Sequence, residues 1–189
     1  HIGFDGAAVG GPGVRTSPPD MARQGIAYVP ENMGIFADLS VKENILLAAR
    51  QARSAAQLDT ARLEWIFGFF PALRKFWLHP AGKLSGGQKQ MLAVARAIIE
   101  PRRLLLVDEP SKGLAPAIIQ NMIDAFIELK QASTTILLVE QNFNFARQVG
   151  DHVAVMDDGR VVHAGGMAAL AQDEALQTRL LGLSLGAHQ

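Results

Sequence analysis

The chain has 189 residues, enough for one domain with a substantial core or one domain with two lobes. Apolar residues make up 49%, which excludes a disordered chain, and 18 basic against 18 acidic side chains leave no field that favours nucleic acid or a membrane surface. Cysteine is absent, so disulfide frameworks and thiolate metal sites are excluded.

Ile2-Gly3-Phe4-Asp5-Gly6 alternates and then turns, which predicts a short strand and hairpin. Gly10-Gly11-Pro12-Gly13 reads as a loop. Pro18-Pro19-Asp20 opens a short helix, since proline is tolerated in a first turn. Ile26-Ala27-Tyr28-Val29 is an apolar strand stopped by Pro30. The texture then changes over residues 36–83, which hold both tryptophans and five of the nine phenylalanines. Ser40-Val41-Lys42-Glu43 fits a capping box that opens a helix to about Arg53, and Asp59 can cap a second helix through Phe67, with Pro71 limiting the segment. Residues 36–83 are expected to form a mostly helical lobe with its own small core. A minority of its aromatics, such as Phe36 or Trp77, is expected on the surface.

From Leu84 onward helix and strand alternate. Residues 85–99 read as a helix and 104–107 as a buried strand. Ile119, Met122, Ile123 and Phe126 mark one face of a further helix, and 136–139 read as another buried strand. Residues 153–156 and 160–163 flank Asp157-Asp158-Gly159, where Asp-Gly favours a tight hairpin turn. A helix over 168–181 closes the chain. Strands alternating with helices predict an α/β core with a largely parallel sheet. No apolar run reaches the roughly 18 residues of a spanning helix, so a membrane role is expected to run through a partner. The chain opens on His1 rather than Met and runs straight into a strand; it is expected to be a fragment with its beginning missing.

Two motifs carry chemistry. Ser85-Gly86-Gly87-Gln88 is a capping box, but capping alone does not explain two adjacent glycines, each costing ~1 kcal/mol against alanine inside a helix. They make sense where something approaches the backbone closely. A helix start with bare N–H groups and a positive dipole end is a phosphate site. The second motif is Leu104-Leu105-Leu106-Val107-Asp108-Glu109-Pro110, an apolar strand ending in two carboxylates. In open α/β sheets ligands bind beyond the carboxyl ends of strands. Neighbouring carboxylates there repel each other unless a cation intervenes. A magnesium ion resolves this, with Asp108 orienting its water shell and Glu109 polarising an attacking water.

In this order and at this spacing, Leu84-Ser85-Gly86-Gly87-Gln88-Lys89-Gln90 followed by Asp108-Glu109 resembles the ATP-binding subunit of an ABC transporter. The similarity extends over essentially the whole chain. It implies a P-loop NTPase-like (RecA-like) α/β core over 1–35 and 84–189, with an inserted helical lobe over 36–83. It implies ATP and Mg2+ as cofactors. Ser85, Gly86, Gly87 and Gln88 would touch the γ-phosphate of ATP held by an opposing subunit. Asp108 would be the magnesium aspartate, acting through water, and Glu109 the catalytic glutamate. The implied partners are a second ATP-binding subunit arranged head to tail, transmembrane permease subunits docked on 36–83, and indirectly a periplasmic solute-binding protein. The implied location is the cytoplasmic face of the membrane.

Three positions depart from the family's usual pattern. Val29-Pro30 leads into Glu31 where glutamine is usual; a carboxylate there can bind magnesium but repels phosphate. Gln141, in Val139-Glu140-Gln141-Asn142, stands where histidine is usual and can position the γ-phosphate or water only by hydrogen bonds. Ala115 stands where aspartate is common. All three resemble the ATPases of branched-chain amino-acid importers, with urea and short-amide importers as close relatives. The family's phosphate-binding P-loop, GxxxxGKS/T, is not found: the one Gly-Lys pair is Gly82-Lys83, followed by Leu84. The 189 residues alone are therefore expected to lack ATPase activity, and a non-catalytic interaction module is the alternative reading. A non-transport ABC ATPase acting on ribosomes or DNA would predict a second nucleotide domain, a coiled-coil insertion or a basic arm; none is visible in these residues, which disfavours that reading.

Overall fold

Side-chain caps and strand alternation account for most element boundaries in the computed structural model, which describes residues 2–11, 13, 15–50, 52 and 54–186. Pro12 of the expected glycine-rich loop and Arg53, the expected end of the first lobe helix, lie outside the described residues. The chain divides into two compact units, His1–Val139 and Glu140–Gln189.

In the first unit, β1 (Ile2–Phe4) and β2 (Ala7–Gly10) form an antiparallel hairpin. Asp5 and Gly6 turn it, both at positive φ, as the favoured two-residue turns require. Then α1 (Pro18–Arg23) begins with two prolines and a capping box between Ser17 and Asp20, and leads to β3 (Ile26–Val29). The Ser40–Glu43 box opens α2 (Val41–Ala48) as predicted. Hydrogen bonds from Ser40 hold the Glu43 carboxyl below its ordinary value. The helix ends earlier than the sequence predicted, because Ala49 turns extended (φ −87°, ψ 95°). Arg50 then reaches the Ala22 carbonyl (2.6 Å) and Glu100 (3.2 Å).

The entry to this segment is held by Asn44, a fully buried polar side chain. Its amide donates to the carbonyls of Phe36 (2.9 Å), Ser40 (3.0 Å) and Leu39 (3.3 Å), and its oxygen accepts from the Phe36 N–H (2.9 Å). Asp59 caps α3 (Thr60–Phe69), and Pro71 opens α4 (Pro71–Lys75). Ile66, Phe67, Phe70 and Leu73 are buried, with Phe67 edge-on to the half-buried Trp77 at 5.4 Å. Two polar contacts bind α3 to later elements: Arg62 Nε donates to the Ile98 carbonyl (2.8 Å) and Trp65 Nε1 to Glu128 (2.6 Å).

Completing the first unit are α5 (Gly86–Ile98), β4 (Leu104–Asp108), α6 (Pro116–Gln131) and β5 (Thr135–Val139). β3, β4 and β5 form a parallel sheet with β4 in the middle. Val29, Leu105 and Val107 share its buried face; α5 lies against β3 and α6 against β5. Met122, Ile123 and Phe126 are buried on α6, as its spacing predicts. The expectation of a second fully buried strand at 136–139 is corrected. β5 is an edge strand, and Leu137 and Val139 are 60% and 54% exposed on the same face as Tyr28. A sheet covered on one side alternates burial along its edge strand.

In the second unit, α7 (Phe143–Val149) is capped by Asn142. β6 (His152–Asp157) and β7 (Arg160–Gly166) form an antiparallel hairpin, with Asp158 and Gly159 at positive φ in the predicted two-residue turn. The single helix expected over 168–181 is instead two, α8 (Met167–Gln172) and α9 (Glu174–Gly186). Asp173 breaks them: its carboxylate accepts from the Leu176 N–H (2.8 Å) and starts the new helix. Among the described residues no helix is long and apolar enough to cross a membrane.

Candidate nucleotide site

The start of α5 is built by its own first turn. Ser85 Oγ accepts from the Gln88 N–H (3.3 Å), and Gln88 Oε1 accepts from the Ser85 N–H (2.9 Å). The two glycines between them serve different ends. A Cβ on Gly87 would fall 2.5 Å from Ile118 Cδ1, the movable tip of a side chain in the first turn of α6, so this glycine leaves room for Ile118. A Cβ on Gly86 would meet nothing within 4 Å. Gly86 leaves the backbone open to a ligand, at the N-terminal end of a helix whose dipole favours an anion. Gly86→Ala is therefore expected to keep the fold and to raise its stability by up to about 1 kcal/mol in urea denaturation. A clear loss of stability would make Gly86 a packing residue like Gly87.

The carboxylates gather at the C-terminal ends of the parallel strands. Asp108 ends β4 and is half-buried; the Tyr28 hydroxyl stands 3.5 Å from its Oδ2, longer than a full hydrogen bond. Glu109 follows at φ 44°, a left-handed conformation that costs a non-glycine residue about 1–3 kcal/mol. Its N–H donates to the Val139 carbonyl (2.9 Å), which ties it to the end of β5. Glu31 is the second residue past β3 and is exposed.

Lys112 connects two of these acids. Its Nζ pairs with Glu31 Oε1 at 2.5 Å and lies 3.5 Å from Glu109 Oε2. The hydrogen bond and charge of Glu31, followed by the charge of Glu109, hold the Lys112 ammonium above its ordinary value. Sequence reasoning passed over Lys112; the available signal was its three-residue spacing from Glu109. It also passed over Arg96. From α5, Arg96 stacks over the Phe36 ring at 4.9 Å and donates to the Gly34 carbonyl. The loop that carries Glu31 is thereby pinned to the helix whose start is Ser85-Gly86-Gly87-Gln88. Gln141 belongs to the second unit, exposed, one residue before the Asn142 cap of α7.

Magnesium takes oxygen ligands, keeps several waters, and is usually held by one or two carboxylates plus substrate phosphates. Among the described residues, no group of three His, Cys, Asp or Glu is placed to hold a metal ion by itself. A few carboxylates at strand ends fit magnesium's sparse mode of binding, and they do not fit a closed protein cage.

A parallel sheet ending in acids, with a helix start left open at its first glycine, is suited to a phosphate-bearing ligand, and its fold is that of solved ABC ATP-binding subunits, the P-loop NTPase fold. The ABC transporter family model matches residues 2–112. The chain is 37% identical over 163 residues to the high-affinity branched-chain amino acid transport ATP-binding protein BraG of Pseudomonas aeruginosa, covering 85% of this chain and 68% of that protein. It is 35% identical over 167 residues to the probable branched-chain amino acid transport ATP-binding protein LivF of Archaeoglobus fulgidus, covering 88% and 70%. Among solved structures, an ATP binding subunit of an ABC transporter superposes with a TM-score of 0.70 at 25% identity, covering 91% of this chain and 72% of that one. The chain belongs to the ABC transporter family, as an ATP-binding subunit of its ATP-hydrolysing class.

Proposed function

We propose that the chain serves an importer of branched-chain amino acids and drives uptake through a membrane permease. The observation that carries the solute class is its likeness to two proteins named for branched-chain amino acid transport, at 37% and 35% identity. Residues 36–83 form the lobe that docks on the permease. The exposure of Phe36, Leu47 and Leu78 on this segment (48%, 60% and 72%) supports that assignment. Two subunits face each other head to tail. Ser85, Gly86, Gly87 and Gln88 present the open start of α5 to the γ-phosphate of ATP held by the other subunit.

Within each site, Asp108 holds the water shell of Mg2+, and Glu31 contributes a second carboxylate on the same side. A bound Mg2+ would supply neutralisation of charge on the phosphate oxygens. Glu109 accepts the proton of the attacking water. Gln141 carries no titratable proton, so any part it takes is by hydrogen bonding alone.

The 189 residues contain no GxxxxGKS/T sequence and so lack the backbone cradle and lysine that engage the β- and γ-phosphates. The purified 189-residue chain is expected to show no magnesium-dependent ATPase activity; a robust rate from clean protein overturns this. The solute is tested with a P-loop-bearing form reconstituted with permease subunits in vesicles. Stimulation of ATP hydrolysis by a leucine-, isoleucine- or valine-loaded binding protein is the expected result. Stimulation by a urea-loaded binding protein alone moves the assignment to short amides.

A further inference from the structure

Arg96 is a charge that the proposed reaction does not use. It belongs to the last turn of α5, is half-buried, and among the described residues is ion-paired with no carboxylate. Its Nε is buried without a hydrogen-bond partner, and burial pushes the guanidinium down from its ordinary value. A half-buried cation without a counter-charge is a cost to the fold, and an apolar side chain of similar length would cost less. What the guanidinium holds is one loop. It donates to the Gly34 carbonyl and stacks over the Phe36 ring at 4.9 Å. Just before Phe36 the chain turns through Met33 and Gly34 at φ 66° and 59°; a non-glycine residue such as Met33 stays in that region only where its surroundings hold it. The end of the loop is fixed separately, since the Phe36 N–H and carbonyl both bond to buried Asn44 of α2 at 2.9 Å. Helix α5 is continuous from Gly86 to Ile98, so Arg96 and the open helix start lie on one rod, about 15 Å apart along its axis.

We propose that Arg96 is a positioning residue of the nucleotide site: it makes the loop over residues 30–36 and helix α5 move as one body. Glu31 then keeps a fixed place relative to Ser85-Gly86-Gly87-Gln88, although the two stretches are more than one strand apart in sequence. The planar guanidinium suits this task, because one edge meets the Gly34 carbonyl while its face covers the Phe36 ring. The charge is retained for the function of the site and not for the stability of the fold. This inference rests on the role proposed for Glu31.

The test is Arg96→Met, which keeps the length of the side chain and removes the charge. In the 189-residue chain its urea midpoint is expected to be unchanged or higher. Amide hydrogen exchange over residues 32–36 is expected to quicken about tenfold, while exchange in α2 and α5 stays as it was. In a P-loop-bearing form, turnover at saturating ATP is expected to fall about tenfold or more, the order of a small misplacement at a reacting site. Arg96→Lys, which can still reach one carbonyl, is expected to recover part of that loss. A lower urea midpoint makes Arg96 a packing residue and overturns the proposal. Unchanged exchange over 32–36 overturns it as well. If Glu31→Gln lowers turnover and Arg96→Met does not, the proposal falls and the reading of Glu31 stands. If Arg96→Met frees the loop and lowers turnover while Glu31→Gln leaves turnover intact, the role of Arg96 stands and that of Glu31 falls.

Discussion

Glu109→Gln, made in a P-loop-bearing form of the subunit, is expected to lower ATP turnover by about 10²–10⁴-fold while ATP binding survives. The amide keeps the size and shape of the carboxylate, so the backbone hydrogen bond from residue 109 to Val139 is retained. What is lost is the capacity to accept a proton. The left-handed conformation at Glu109 argues the same way. A non-glycine side chain is held there, mostly buried, at a cost of about 1–3 kcal/mol at the end of the central strand. Steady-state ATPase rates with parallel nucleotide-binding measurements make the check. Unchanged turnover removes Glu109 from the chemistry; loss of binding and turnover together makes it a structural residue.

The largest expected effect on stability lies in the core of the first unit. Phe126 of α6 is fully buried, beside Met122 and Ile123 on the same helical face. Phe126→Ala is expected to cost about 3–5 kcal/mol, from lost transfer energy and the cavity left behind. Urea denaturation followed by tryptophan fluorescence reads this directly, because Trp65 donates to Glu128 on the same helix. Leu78→Ala is the matched control. Leu78 is 72% exposed, and its truncation is expected to stay within about 0.5 kcal/mol. Equal effects at the two positions would mean that α6 does not anchor the core of the first unit.

Elements governed by neighbours three or four residues apart were legible in the sequence. The Ser40–Glu43 and Ser85–Gln88 boxes open α2 and α5 where predicted, Asp59 caps α3, and Asp158-Gly159 makes the predicted turn. Misreadings arose where a distant contact or an unnoticed cap decided the outcome. The helix after Ser40 stops at Ala48, where Arg50 turns away to Ala22 and Glu100. Residues 136–139 are apolar throughout, like a central strand, but β5 pairs with β4 on one side and is covered on one face. Asp173 read as an ordinary helix residue, yet its carboxylate caps a second helix.

The site divides along the same line. By itself the sequence determined the chemistry available: a glycine-opened helix start at Ser85-Gly86-Gly87-Gln88 and a strand ending in Asp108-Glu109, each encoded in a short contiguous stretch. The tertiary structure alone decided how those pieces are used. It separated Gly86, open to a ligand, from Gly87, packed on Ile118. It placed Lys112 between Glu31 and Glu109, and it tied the Glu31 loop to α5 through Arg96. Capping and turn formation are satisfied within one turn of chain, so local sequence suffices for them. Which side chains meet across 81 residues depends on the register of parallel strands, and that is set by burying Val29, Leu105 and Val107 on one face of the sheet.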